Sequence, residues 1–113
     1  MDKVYFYKAF VTSVYDGDTI TCNIDCGFGI ILKKQKIRLY GINTPEVRGE
    51  EKEEGKKSRD FLRNLILDKD IILETYKGNK KGKYGRWLGI IHLDNIDINK
   101  KLVDENYAKN IEY

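Results

Sequence analysis

Arg38-Leu39-Tyr40-Gly41-Ile42-Asn43-Thr44-Pro45-Glu46 ends an apolar run and enters a turn. Gly41 and Pro45 punctuate it, so the chain must bend there. One cation, one amide, one hydroxyl and one carboxylate fall within nine residues. A strand end that carries Arg38 and Glu46 to the same place is an unusual use of charge if packing is all it serves.

Upstream of this stretch, residues 4–14 are rich in aromatic and β-branched side chains with loose alternation, which predicts a strand. Asp16-Gly17-Asp18 then makes a tight turn, because Asp-Gly supplies the positive φ that a two-residue hairpin needs. Residues 19–25 return as a second strand, with Ile20, Cys22 and Ile24 on one side and Thr19, Thr21 and Asn23 on the other. Gly27-Phe28-Gly29 turns again. Residues 30–40 form a third strand, bent near Lys33-Lys34.

Downstream, the charge run from Arg48 to Lys57 is expected to be a solvated face. Ser58, Phe61, Leu62, Leu65 and Ile66 recur at three- and four-residue spacing, which predicts one apolar helical stripe. Residues 71–76 form a fourth strand, continuous enough in apolar character to be buried. A Gly- and Lys-rich loop over residues 77–86 precedes a fifth strand at 87–93. Asp97 or Asn99 caps a last helix that turns Ile98, Leu102 and Val103 inward. Three strands, a helix, two strands and a helix suit an α+β fold built on a five-stranded Greek-key barrel. One helix lies between strands 3 and 4 and one at the C-terminus. Such barrels bind extended oligomers across one face and its loops.

The 113 residues suit a single domain over 1–113, and 41% apolar with 35% charged residues places the chain among globular rather than disordered proteins. The net charge is only +3, so the chain is no polycation, but Lys77, Lys80, Lys81, Lys83 and Arg86 fall within ten residues with no acid among them. Phosphate backbones are the commonest partner of such a patch. Cys22 and Cys26 on one strand stand roughly 13 Å apart at about 3.3 Å per residue. A disulfide needs Cα atoms within about 7 Å, so reduced thiols are expected. No run reaches membrane-spanning length. No signal peptide is visible, which favours a cytoplasmic location, with a secreted mature form as the alternative.

If the barrel closes, Asp18, Arg38, Glu46 and Arg86 converge on one mouth. Asp18 and Asn43 supply hard oxygen donors and the Thr44 carbonyl another, a set that suits Ca²⁺. Two arginines hold a phosphate by charge-assisted hydrogen bonds. A carboxylate beside them orients or deprotonates water. Each part also has a plainer reading: a turn for Asp16-Gly17-Asp18, a surface ion pair for Arg38, a cap for Glu46, one more loop cation for Arg86. Their co-occurrence in one architecture points to a phosphodiester-cleaving site.

Asp16-Gly17-Asp18-Thr19, then residues 38–46, then Gly82-Lys83-Tyr84-Gly85-Arg86 and, less sharply, residues 98–103 give this chain its likeness. It resembles the staphylococcal nuclease (thermonuclease-like) family, whose fold is an oligonucleotide-binding (OB) barrel with added helices. The resemblance implies that Arg38 and Arg86 contact the scissile phosphate and that Glu46 positions or activates the attacking water. It implies Asp18, Asn43 and the Thr44 carbonyl as ligands of Ca²⁺, and Lys83 and Tyr84 as holders of a terminal phosphate of the bound nucleotide. The implied activity is Ca²⁺-dependent hydrolysis of DNA and RNA to 3′-phosphates, and the expected partner is single-stranded or frayed DNA, with RNA second, met by a monomer. Both arginines are expected to face solvent. Asn43 stands where the family's best-known member has aspartate, and Tyr107 and Tyr113 do not align with that member's nucleotide-contacting tyrosines. The rival expectation is an OB-fold module that binds nucleic acid without cutting it, which would have no need of the Arg/Glu/Arg set.

Overall fold

The computed structural model describes residues 4–76 and 85–111. The first hairpin pairs β1 (Val4–Asp16) with β2 (Thr19–Asp25), and β3 (Ile31–Leu39) adds antiparallel to β2. A two-residue β4 (Ile42–Asn43) follows. Next come a single 3₁₀ turn (Gly49–Glu51) and helix α1 (Lys52–Ile66). Then β5 (Asp70–Tyr76) pairs with β1, and β6 (Arg86–Leu93) pairs with β5. β6 also runs parallel to β3, matching Lys36 with Arg86, Ile37 with Trp87, Arg38 with Leu88 and Leu39 with Gly89. That last ladder closes five strands into the expected barrel. Short β7 (Ile96–Asp97), helix α2 (Ile98–Asp104) and β8 (Lys109–Asn110) complete the order, with β8 paired to β4.

The barrel interior is filled by the inward set of the period-2 pattern. Val11, Ile20, Cys22, Ile37, Leu39, Leu73 and Ile91 are fully buried, and α1 plugs one end with Leu62 and Ile66. Neither cysteine is bonded, and burial pushes the Cys22 thiol up to about 12. No helix among the described residues is long and apolar enough to cross a membrane.

Of three local expectations, one changes and two become specific. The charged run 48–57 is the solvated face expected, exposed at all positions but Gly55 and Lys56, and its second half is also the start of α1. Charged side chains at exposed helix positions hide the periodicity there. The fourth strand is half-buried rather than buried: Ile71 and Leu73 point inward while Ile72 is exposed. At the last helix, Asp97 is the cap, accepting from the Lys100 N–H at 2.9 Å. Asn99 does different work. Its Oδ1 accepts from the Ile91 N–H, and its Nδ2 donates to the carbonyls of Tyr40 (3.0 Å) and Gly89 (3.1 Å). A buried amide with these bonds ties the turn after β3 to β6. The bend in β3 is present as a residue with φ +56° at Lys34, whose N–H bonds to Asn23 Oδ1.

Candidate active site

Two features bring the site together. The β3–β6 parallel ladder sets Arg38 and Arg86 on neighbouring strands. The turn at Gly41, with φ +81°, then returns the chain so that Asn43, Thr44 and Glu46 approach the tip of the β1–β2 hairpin. Gly17 does not take the positive φ expected of it, and it permits that approach by lacking a Cβ. A Cβ there would come within 2.8 Å of both Thr44 Cγ2 and Ser58 Cβ. Asp18, Arg38, Asn43, Glu46 and Arg86 line one open cleft of about 770 Å³, with Asp16 among them. A second depression of about 510 Å³ lies elsewhere, walled by Asp25, Asp70 and Asp94. Those three carboxylates face one lysine, Lys8, whereas the first cleft sets Lys36, Arg38, Arg48 and Arg86 against Asp16, Asp18 and Glu46, so the first cleft is the more positive and the better suited to a nucleic acid.

Asp18 is the hub. It is 5% exposed. Its Oδ2 accepts the Thr44 N–H at 3.0 Å and lies 3.3 Å from Arg38 Nη1, while its Oδ1 accepts the Thr19 hydroxyl. Its own N–H donates to Asp16 Oδ1. Arg38 is not solvent-facing as expected: its side chain is 16% exposed. Nη1 donates to the carbonyls of Leu39 (3.1 Å) and Ile42 (2.9 Å), and Nη2 donates to Asn43 Oδ1 at 3.2 Å. The reason is the tight turn, which aims two backbone carbonyls back at the end of β3, where a guanidinium satisfies both. Arg86 is also partly buried, and its Nη1 donates to Thr19 Oγ1 at 3.3 Å. Glu46 is exposed on the cleft. Lys83 and Tyr84 lie outside the described residues.

Asp16, expected only as a turn former, lines the same cleft. It is 7% exposed. Burial, the hydrogen bond with Asp18 and repulsion from Asp18 and Glu46 push its carboxyl up to about 7. Two aspartates flanking one glycine at a strand end were the available signal, outweighed by the turn reading. Tyr15, Lys36 and Arg48 also line the cleft without having been expected there.

The donor set fits a hard divalent cation. Asp18 and Asn43 present oxygens on one side of the cleft, and a cation bound there would offset both the burial and the neighbouring Asp18 and Glu46 charges that together raise Asp16. Among the described residues no three acidic, histidine or cysteine side chains close into a metal cage. Protein donors would therefore be few and mixed, with amide and carbonyl oxygens beside carboxylate. Arg38 bridges Asp18 and Asn43, holding positive charge beside both oxygens.

The family described as staphylococcal nuclease homologue matches residues 36–113. The chain is 31% identical over 104 residues to an uncharacterized protein of Bacillus anthracis, covering 89% of this chain and 46% of that protein. It is 28% identical over 133 residues to an uncharacterized protein of Methanocaldococcus jannaschii, covering 96% and 61%. It is 31% identical over 111 residues to endonuclease YhcR of Bacillus subtilis, covering 90% of this chain and 9% of that enzyme. The chain thus spans about half the length of the first two relatives and a small part of the third. The matched span takes in Arg38, Asn43, Thr44, Glu46 and Arg86 along with the ladder that places the two arginines on neighbouring strands, and the chain belongs to the staphylococcal nuclease family.

Proposed function

We propose that this chain is a Ca²⁺-dependent nuclease that hydrolyses phosphodiester bonds of single-stranded or frayed DNA, and of RNA, to 3′-phosphate products. The observation that carries this reading is the meeting of Arg38, Arg86 and Glu46 with Asp18 and Asn43 in one cleft. Binding alone requires cations. It does not require an exposed carboxylate beside them, which repels the substrate's phosphates.

Asp18, Asn43 and the Thr44 carbonyl would hold Ca²⁺, which when bound supplies positive charge toward the phosphate oxygens. The rest falls to the side chains. Arg38 is anchored by two carbonyls through Nη1, which fixes its plane with little freedom left to lose. Arg38 and Arg86 donate to the non-bridging oxygens, where negative charge grows as water adds to phosphorus. Glu46 accepts the proton of that water. The bond from phosphorus to the 5′-oxygen breaks, the leaving oxygen takes up a proton, and the phosphate stays on the 3′ side.

The test is cleavage of single-stranded DNA with Ca²⁺ and with chelator, for the parent and Glu46→Gln. Ca²⁺-dependent cleavage that collapses in the variant is the expected result. Retained binding with no cleavage in any divalent metal would instead make the chain a nucleic-acid-binding module.

A further inference from the structure

β1 is irregular where it reaches the site. Val14 pairs with Ile20 and Asp16 pairs with Thr19, which leaves Tyr15 as an extra residue between two consecutive partners. Such a bulge re-aims the side chain it carries. Strict alternation past Val14 would send Asp16 to the interior. The bulge instead lets Tyr15 and Asp16 both line the cleft. Tyr15 keeps 51% of its surface exposed, and its phenol oxygen accepts from Arg48 Nη2 at 3.0 Å. Arg48 lies two residues beyond Glu46, so this bond links the β1–β2 hairpin to the segment that carries the proposed base.

The floor beside Tyr15 is ordered too. Ser13 pairs with Thr21, Thr21 with Lys36, and Lys36 with Arg86, one row across β1, β2, β3 and β6. All four side chains line the cleft. The row has small hydroxyl side chains at its β1 end and cations at its β6 end. Its three inter-strand steps span about 14 Å. Tyr15 therefore stands to the side of the arginines, where the nucleotide neighbouring the scissile phosphate would lie.

Two rings of the neighbouring elements are already committed. Tyr107 stacks on Phe61 of α1 with centroids 4.2 Å apart, and Trp87 donates its Nε1 to Gln35. Among the described residues, Tyr15 is the aromatic side chain on this cleft. We propose that Tyr15, oriented by Arg48, is the nucleobase platform of the site, stacking on an unpaired base next to the scissile phosphate while Lys36 contacts the backbone on the Arg86 side. Every base has a π-face, so this subsite selects unpaired nucleotides rather than a sequence. A base held within a duplex has its faces covered and does not meet the platform. The inference rests on the nuclease reading and names the residue that would hold the base next to the scissile phosphate.

The test uses the Glu46→Gln chain, which would not consume its ligand, and measures fluorescence polarisation in Ca²⁺. The probes are a labelled single-stranded oligonucleotide and one of equal length and charge with abasic positions at its centre. Tyr15→Ala and Tyr15→Leu should weaken binding of the first by about 5- to 150-fold, the loss expected for one stacked base. They should leave the weaker affinity for the abasic probe unchanged. Tyr15→Phe should recover most of the affinity, since the ring remains. With Glu46 restored, the loss should appear in KM more than in kcat. Variants that match the parent on the first probe, or that weaken both probes equally, overturn the platform while the nuclease reading stands. A parent chain that binds neither probe overturns both.

Discussion

Gly55 of α1 lies directly against the backbone carbonyl of Glu46. A Cβ at Gly55 would overlap that carbonyl and come within 2.8 Å of the Val47 nitrogen. The helix therefore serves as the wall that sets the depth of the Glu46 segment, and only a residue without a side chain allows it.

Two effects compete in Gly55→Ala. In an exposed helix interior, alanine stabilises by about 1 kcal/mol over glycine. Here the added methyl meets backbone, which cannot rotate away, and overpacking of this kind costs about 1–3 kcal/mol. Overpacking should win. A lowered Tm together with lower cleavage activity is expected, because Glu46 is displaced from its place in the cleft. A raised Tm with unchanged turnover would show that the Glu46 segment is not braced by the helix.

Arg38 and Arg86 should differ in what they cost. Either alanine variant removes one charge donor from the developing phosphate charge, a loss of about 10² or more in rate. Arg38→Ala also leaves the Leu39 and Ile42 carbonyls and Asp18 without their cation. Unmet groups of this kind cost about 1–3 kcal/mol. Thermal melts should show a clear drop for Arg38→Ala, alongside the rate loss measured for both variants. An unshifted melt would mean that the anchoring bonds contribute nothing to the fold.

Asp16 makes stability depend on pH in a direction opposite to most carboxylates. Its carboxyl is raised from 3.8 to about 7 in the folded chain. Between those values the folded state keeps a proton that the unfolded state releases, so stability falls as pH rises through that window and levels off above it. Asp16→Asn keeps an oxygen for the Asp18 N–H and carries no charge. In chelator it should show a higher Tm than the parent at pH 8 and a flatter profile between pH 4 and 7. Parallel profiles for the two proteins would place the proton elsewhere.

The strands were legible because the barrel has one inside, and Ile20, Cys22, Ile24, Ile37 and Leu39 mark it at period two. The convergence on one cleft was legible where side-chain chemistry is concentrated, at Asp18, Arg38, Asn43, Glu46 and Arg86. Backbone partners left no trace. No residue type announces that Leu39 and Ile42 turn their carbonyls onto Arg38, so that arginine was expected in solvent. A bulge has no signature either, and without it Tyr15 is an ordinary outward residue of a strand. Asp16 was hidden by the glycine beside it, because Asp-Gly is sufficiently explained as a turn. The start of α1 was masked by its own lysines and glutamates, which are what an exposed first turn carries.

Asn43 offers the sharpest test of the metal assignment. Its Oδ1 accepts from Arg38 Nη2, so one amide oxygen serves the guanidinium on the same cleft where it would serve a cation. Asn43→Asp adds a full negative charge without changing the side chain's shape. Coulomb attraction to a divalent ion then rises, and Ca²⁺ binding should tighten by about tenfold or more, since each 1.4 kcal/mol gained is a factor of ten. The same carboxylate strengthens the contact with Arg38, which draws that cation toward the ligands and away from phosphate. Affinity for metal and turnover should therefore part company: calorimetry should show tighter Ca²⁺ binding while kcat rises by less than the affinity does. Unchanged calorimetry in Asn43→Asp would remove Asn43 from the ligand set and leave Asp18 with the Thr44 carbonyl as the remaining donors on that wall.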